Sequence, residues 1–167
     1  TGAVDGTLRL DLVDDDSITD IAGNPLGGAG AGNGNLTGES YTIDKTAPVI
    51  TLTGSNSIRI EAGSFYTEPG VTATDNVDGD ISSRIITNGF VNVGELGIYT
   101  LTYTVADTAG NEATSARVVT VQDTTPPLIT LNGDNPVRVE FGTAYADPGA
   151  SAYDIVDGDV TSSIGVI

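Results

Sequence analysis

Tyr99-Thr100-Leu101-Thr102-Tyr103-Thr104-Val105 sets aromatic or aliphatic side chains against threonines at every second position. That is the period of a β-strand with one buried and one wet face. Asp107-Thr108-Ala109-Gly110-Asn111 follows and reads as a compact hairpin turn, with Gly110 and Asn111 suited to positive φ. Residues 114–122 then form the partner strand. Upstream, residues 49–53, 57–62, 71–74, 84–87 and 90–93 are rich in Val, Ile and Thr and are bounded by Gly, Asn, Asp or Pro, the signature of further strands. Seven short strands predict an all-β module of two packed antiparallel sheets. Leu52, Ile60, Tyr99, Leu101 and Val105 should point into its core.

Working outward, residues 48–88 align with residues 127–167 at an offset of 79 without a gap, and 20 of the 41 positions are identical. Self-similarity at a fixed period marks tandem repeats. The offset carries Asp44 onto Asp123, each followed by a joint containing Thr and Pro: Lys45-Thr46-Ala47-Pro48 and Thr124-Thr125-Pro126-Pro127. Proline fixes φ and restricts its predecessor, so these joints read as short, semi-rigid linkers and predict an extended array. Asp20-Ile21-Ala22-Gly23-Asn24 also repeats as Asp107-Thr108-Ala109-Gly110-Asn111. The expected organisation is therefore the C-terminal part of one module at 1–46, a complete module at 47–124, and the N-terminal half of another at 125–167. The chain is expected to be a portion of a longer polypeptide.

Composition narrows the chemistry. Net charge is −17 with only 6 Lys and Arg, which disfavours nucleic acid and anionic lipid as partners. Cys, His, Met and Trp are absent, excluding disulfides, thiolate or imidazole metal sites and every His- or Cys-dependent catalytic triad. Oxygen ligands remain. No apolar run of about 18 residues is present, so membrane insertion is not expected. Thr1-Gly2-Ala3-Val4-Asp5 does not read as a signal peptide.

Residues 66–81, Tyr66-Thr67-Glu68-Pro69-Gly70 through Asp75-Asn76-Val77-Asp78-Gly79-Asp80-Ile81, together with the Asp107–Asn111 motif, resemble bacterial immunoglobulin-like surface modules, with hyalin-repeat and cadherin-like modules more distant in appearance. Asp14-Asp15-Asp16-Ser17-Ile18-Thr19-Asp20 and Tyr41-Thr42-Ile43-Asp44 look like the end of another bacterial immunoglobulin-like type found in very large repeat proteins. The resemblance implies tandem immunoglobulin-like antiparallel β-sandwiches in an extracellular, cell-surface or secreted setting. The function it implies is a structural or adhesive segment of a stalk or fibre. The alternative is an accessory, carbohydrate-binding module of a secreted polysaccharide-degrading enzyme. Expected partners are neighbouring modules of the same polypeptide, with identical chains head-to-tail in a filament as a further candidate.

Asp75, Asp78 and Asp80 place three carboxylates in six residues, and Asp154, Asp157 and Asp159 repeat them. Calcium, which accepts six to eight oxygen ligands in flexible geometry, is the candidate ion. The spacing is not that of an EF-hand, and Asp and Gly are also ordinary turn formers. Asp14, Asp16 and Asp20, with Asp15, make a denser second group. Asp107 with Asn111 reads first as a turn. The Asp75–Asp80 loop is expected at the same end of its module as the outgoing linker, so that Asp123 joins it and calcium stiffens the joint. The stretch Gly27–Gly34 lacks the phosphate-loop pattern. Carboxylates that recur as repeat consensus in short turns do not read as an active site, so no enzyme activity is expected.

Overall fold

A computed structural model describes residues 4–166. Residues 1–3 and 167, the extremes of the first and third expected modules, lie outside the described residues. The strands in chain order are β1 (Gly6–Arg9), β2 (Ser40–Ile43), β3 (Val49–Leu52), β4 (Ser57–Glu61), β5 (Val71–Asp75), β6 (Gly79–Asp80), β7 (Ile86–Asn88), β8 (Gly97–Ala106), β9 (Glu112–Gln122), β10 (Leu128–Leu131), β11 (Ala150–Asp154) and β12 (Gly158–Asp159). Single 3-10 turns occupy Ser82–Arg84 and Thr161–Ser163. The fold is all-β among the described residues. The sheets are ordered β1-β2, β3-β5-β6, β4-β9-β8-β7 and β10-β11-β12.

Contacts divide the chain into two compact units that cut across the sequence repeat. The first comprises Thr1–Val49, Ala73–Arg84 and Val105–Ala113. Within it β1 and β2 pair antiparallel, Gly6 opposite Ile43 and Arg9 opposite Ser40. The hairpin continues through an isolated bridge between Leu12 and Leu36. The end of β5 pairs with β6, Thr74 opposite Asp80 and Asp75 opposite Gly79. Gly79, at φ 74°, makes this reversal, a conformation other residues reach only at a steric cost. Ala73 and Ile81, joined by an Ile81 N–H to Ala73 carbonyl bond of 3.0 Å, are almost wholly buried.

The second unit comprises Ile50–Thr72, Ile85–Thr104 and Thr114–Ile167. Here β7 pairs antiparallel with β8, Thr87 opposite Tyr103. Leu101 and Tyr103 are buried while Thr102 and Thr104 are not, so the alternation read from the sequence holds. On β9, Val119 and Val121 turn inward, and so does Arg117, which is completely buried. Leu52, Ile60 and Tyr99 are half-buried rather than enclosed. In the third expected module, β10 to β12 repeat the earlier register: Tyr153 faces Asp159 as Thr74 faces Asp80.

Four local expectations are corrected. β4 pairs parallel with β9, Ser57 opposite Val118 and Glu61 opposite Gln122, so this sheet is mixed rather than antiparallel. A parallel pair needs a long connection, and residues 62–111 supply it. Residues 90–93 form no strand, because the Asn92 side chain accepts the Gly94 N–H at 3.2 Å and folds the chain locally. Arg84 ends a 3-10 turn instead of starting a strand. Asn111 is not at positive φ, whereas Gly110 is, at 88°.

Candidate metal centre

All three carboxylates of the centre are held in the first unit by short-range turn chemistry. Asp44 follows β2, Asp75 ends β5, and Asp107 opens the turn after β8. In each, Oδ1 is anchored by backbone N–H groups. Asp44 Oδ1 accepts from Thr46 at 3.1 Å, Asp75 Oδ1 from Val77 and Asp78 at 2.8 and 2.9 Å, and Asp107 Oδ1 from Asn111 at 2.8 Å. Such side-chain turns are what Asp does at strand ends. Their result here is convergence, since one carboxylate oxygen from each lies within 4.8 Å of the others.

Asp75 and Asp107 keep only 9% and 7% of their surface exposed. The Asp107 Oδ2 accepts the Asn111 side-chain amide at 2.7 Å. The Asp75 Oδ2 is buried and has no hydrogen-bond partner, which is costly for a charged oxygen. The Thr46 N–H pulls the Asp44 carboxyl down, but burial and the charges of Asp75, Asp107 and Asp5 outweigh it and hold the group above the usual aspartate range. Burial pushes Asp107 up, and the amide and backbone N–H of Asn111 more than reverse this. Among the described residues no Lys or Arg forms an ion pair with the three. A surface cleft of about 280 Å³ lined by Thr42, Asp44, Val77, Asp78, Thr108 and Ala109 opens beside Asp44.

The other expected ligands are used differently. Asp78 Oδ2 accepts from the Arg84 guanidinium at 2.6 Å and from the Thr108 N–H and hydroxyl at 2.7 and 2.6 Å. The Thr108 hydroxyl first, then Arg84, hold it below the aspartate range. Asp80 caps Ser82, and Asp159 likewise accepts the Thr161 N–H at 2.9 Å. Asp154 is buried and repeats the Asp75 turn, its Oδ1 accepting from Val156 and Asp157. Asp14 is buried and accepts from Asp16 and Gly34. Asp16, at φ 60°, accepts from Gly30, and Asp20 closes its own turn on Ala22 and Asn24.

Asp123, which follows β9, is not among the carboxylates that gather with Asp75. The repeat offset instead pairs Asp123 with Asp154, as Asp44 is paired with Asp75. Asp75 thus groups with Asp44, at the incoming linker.

Two acids that the sequence reading passed over hold the linkers. Glu61, at the end of β4, accepts the Thr124 N–H at 2.6 Å, the Thr124 hydroxyl at 2.9 Å and the Thr125 hydroxyl at 2.8 Å. The Thr124 N–H, then the Thr125 hydroxyl, lower its carboxyl to about 2. Asp5 does the same at the earlier joint, accepting the Lys45 N–H at 2.6 Å and the Thr46 hydroxyl at 2.5 Å. The available signal was Glu61 recurring at Glu140 at the repeat offset.

The family described as bacterial surface protein, Ig-like domain, matches residues 50–121 and again 129–167. This chain belongs to that family. Relatives include hyalin of the sea urchin Strongylocentrotus purpuratus, 33% identical over 150 residues that cover 81% of this chain and 12% of that protein. Hyalin of Lytechinus variegatus is 36% identical over 147 residues, covering 81% of this chain and 26% of that protein. The chain thus spans about an eighth to a quarter of the length of these relatives. Among solved structures, a lipoprotein of Bacteroides thetaiotaomicron is 33% identical with a TM-score of 0.43, over 47% of this chain and 39% of that one. A ZmpB segment of Clostridium perfringens, containing the CBM51-2 domain in complex with GlcNAc and INT domains, is 24% identical with a TM-score of 0.38, over 52% of this chain and 20% of that one. Among the described residues of this Ig-like chain, no helix is long and apolar enough to cross a membrane.

Proposed function

We propose that these Ig-like modules serve as a non-catalytic structural segment of an extracellular surface protein, spacing whatever lies on either side of them. The observation that carries this reading is the carboxylate clamp at both linkers. An acid fixes the N–H and the threonine hydroxyl of the residues leaving the module, through Asp5, just before β1, at Lys45 and Thr46 and through Glu61, at the end of β4, at Thr124 and Thr125. Prolines 48, 126 and 127 restrict what freedom remains. A module whose exit is fixed suits holding distance more than gathering ligands on a flexible tether. The family match to bacterial surface proteins and the identity to hyalin support the extracellular setting.

Small-angle scattering of the chain tests the spacer. A compact globule of 167 residues would have a radius of gyration of about 15 Å. The spacer requires a value well above that, with a maximum dimension several times larger. A profile matching the compact globule overturns the proposal.

A further inference from the structure

We propose that Asp44, Asp75 and Asp107 bind one hard divalent cation, Ca²⁺ in preference to Mg²⁺, at the entry to the complete Ig-like module. The inference stands on the geometry of these side chains and does not depend on the spacer role.

Three facts point the same way. First, the three carboxylate oxygens lie within 4.8 Å of one another. Calcium–oxygen distances are about 2.4 Å, so two ligands on opposite sides of one ion stand about 4.8 Å apart, and a single ion reaches all three. Second, the Asp75 Oδ2 is sealed from solvent and makes no hydrogen bond, although its sister oxygen takes two backbone N–H groups. A buried anionic oxygen without a donor is stable only if something positive meets it. Among the described residues no Arg or Lys forms an ion pair with Asp75. Third, the Oδ1 anchors fix each carboxylate before any ion arrives, so little side-chain freedom remains to be lost on binding.

The choice of ion follows from the ligands. An all-oxygen, strongly anionic set selects hard cations over soft ones. Magnesium demands a near-ideal octahedron and gives up water reluctantly, whereas calcium accepts an irregular shell. The cleft beside Asp44 admits the waters that complete that shell. The site also has a sequence signature: an Asp before the Thr- and Pro-containing linker, an Asp closing the strand 31 residues on, and the Asp of the hairpin turn. The first two recur as Asp123 and Asp154.

Calorimetric titration of the chelator-stripped chain with calcium chloride, paired with melting in calcium and in chelator, tests the site. The expected result is saturable binding that raises the melting temperature. Asp75→Asn should weaken the binding by more than about tenfold and abolish the calcium-dependent shift. In chelator, however, it should melt at or above the wild-type temperature, because an unpaired buried charge has been removed. Asp44→Asn, at a less buried position, provides the same comparison should Asp75→Asn fail to fold. Asp20→Asn, in a separate acidic turn, should bind calcium as the wild type does. The proposal is overturned if the wild type binds no calcium at about 10 mM, beyond the range of weak extracellular sites. It is equally overturned if binding is undiminished in both Asp75→Asn and Asp44→Asn.

Discussion

Replacing Arg117 by Met should be the most damaging conservative-sized change in the family-matched stretch 50–121. The guanidinium is fully buried. It donates to the Thr53 and Gly70 carbonyls at 2.9 and 3.1 Å, to the Ser55 carbonyl, and through Nε to Glu68 Oε1 at 2.9 Å. Methionine fills much of the volume but removes three bonds to carbonyls, at roughly 1 kcal/mol net for each lost bond, and only the Gly70 carbonyl keeps another donor, the Thr53 N–H at 3.0 Å. Glu68 suffers less. Its side chain is 30% exposed and keeps the Tyr66 hydroxyl at 2.5 Å, so the ion pair adds only about 1 kcal/mol. The total, about 4 kcal/mol, falls in the range of 3–5 kcal/mol found when a buried pair is broken from one side. Urea unfolding followed by tyrosine fluorescence is the assay. With an m-value near 1.5 kcal/mol/M, the midpoint of the transition should fall by about 2–3 M. Glu68→Gln should move it by less than about 1 M. If Arg117→Met shifts the midpoint no more than Glu68→Gln does, the three carbonyl bonds are not holding the β3–β4 corner and the reasoning fails.

Two further outcomes follow from other residues. The Glu61 carboxyl is lowered to about 2 in the folded chain from an ordinary 4.5, so its contribution is complete above pH about 5 and is lost as pH falls toward 2. Melting curves from pH 6 to 2.5 should therefore decline more steeply for the wild type than for Glu61→Gln, and parallel declines would refute the clamp. Gly89→Ala would place a Cβ 2.3 Å from the Thr100 carbonyl oxygen at a φ of 98°. Chemical denaturation should show a loss of more than about 2 kcal/mol, and a neutral result would mean that β7 does not approach β8 this closely.

How much of this was legible depended on whether the signal was local. The Tyr99–Val105 alternation and the 79-residue offset announce strands and repeats because side-chain parity and self-similarity are written along the chain. Arg117 was legible too, and was missed. It shares the parity of Val119 and Val121, and a charged side chain in that phase marks a buried ionic contact rather than a wet face. The parallel β4–β9 pairing leaves no such trace, since the strands' own spacing says nothing of their mutual direction. That omission propagated to the candidate site. The three Oδ1-anchored turns are each visible as Asp followed by small or polar residues, but their convergence depends on which linker enters beside β5. Asp44 rather than Asp123 is the neighbour, and clustering Asp75 with Asp78 and Asp80 by proximity in sequence overlooked that Arg84 and Thr108 already occupy Asp78.

The parallel ladder of β4 and β9 has a mechanical consequence. Ser57 to Glu61 lie near the start of the family-matched stretch 50–121 and Val118 to Gln122 at its finish, and both strands run the same way. Tension applied through the preceding and following chain drags them in opposite senses along their common axis. The ladder is then loaded in shear, so its bonds share the force and must yield nearly together. In an antiparallel pair pulled from one end, the bonds would instead unzip one after another.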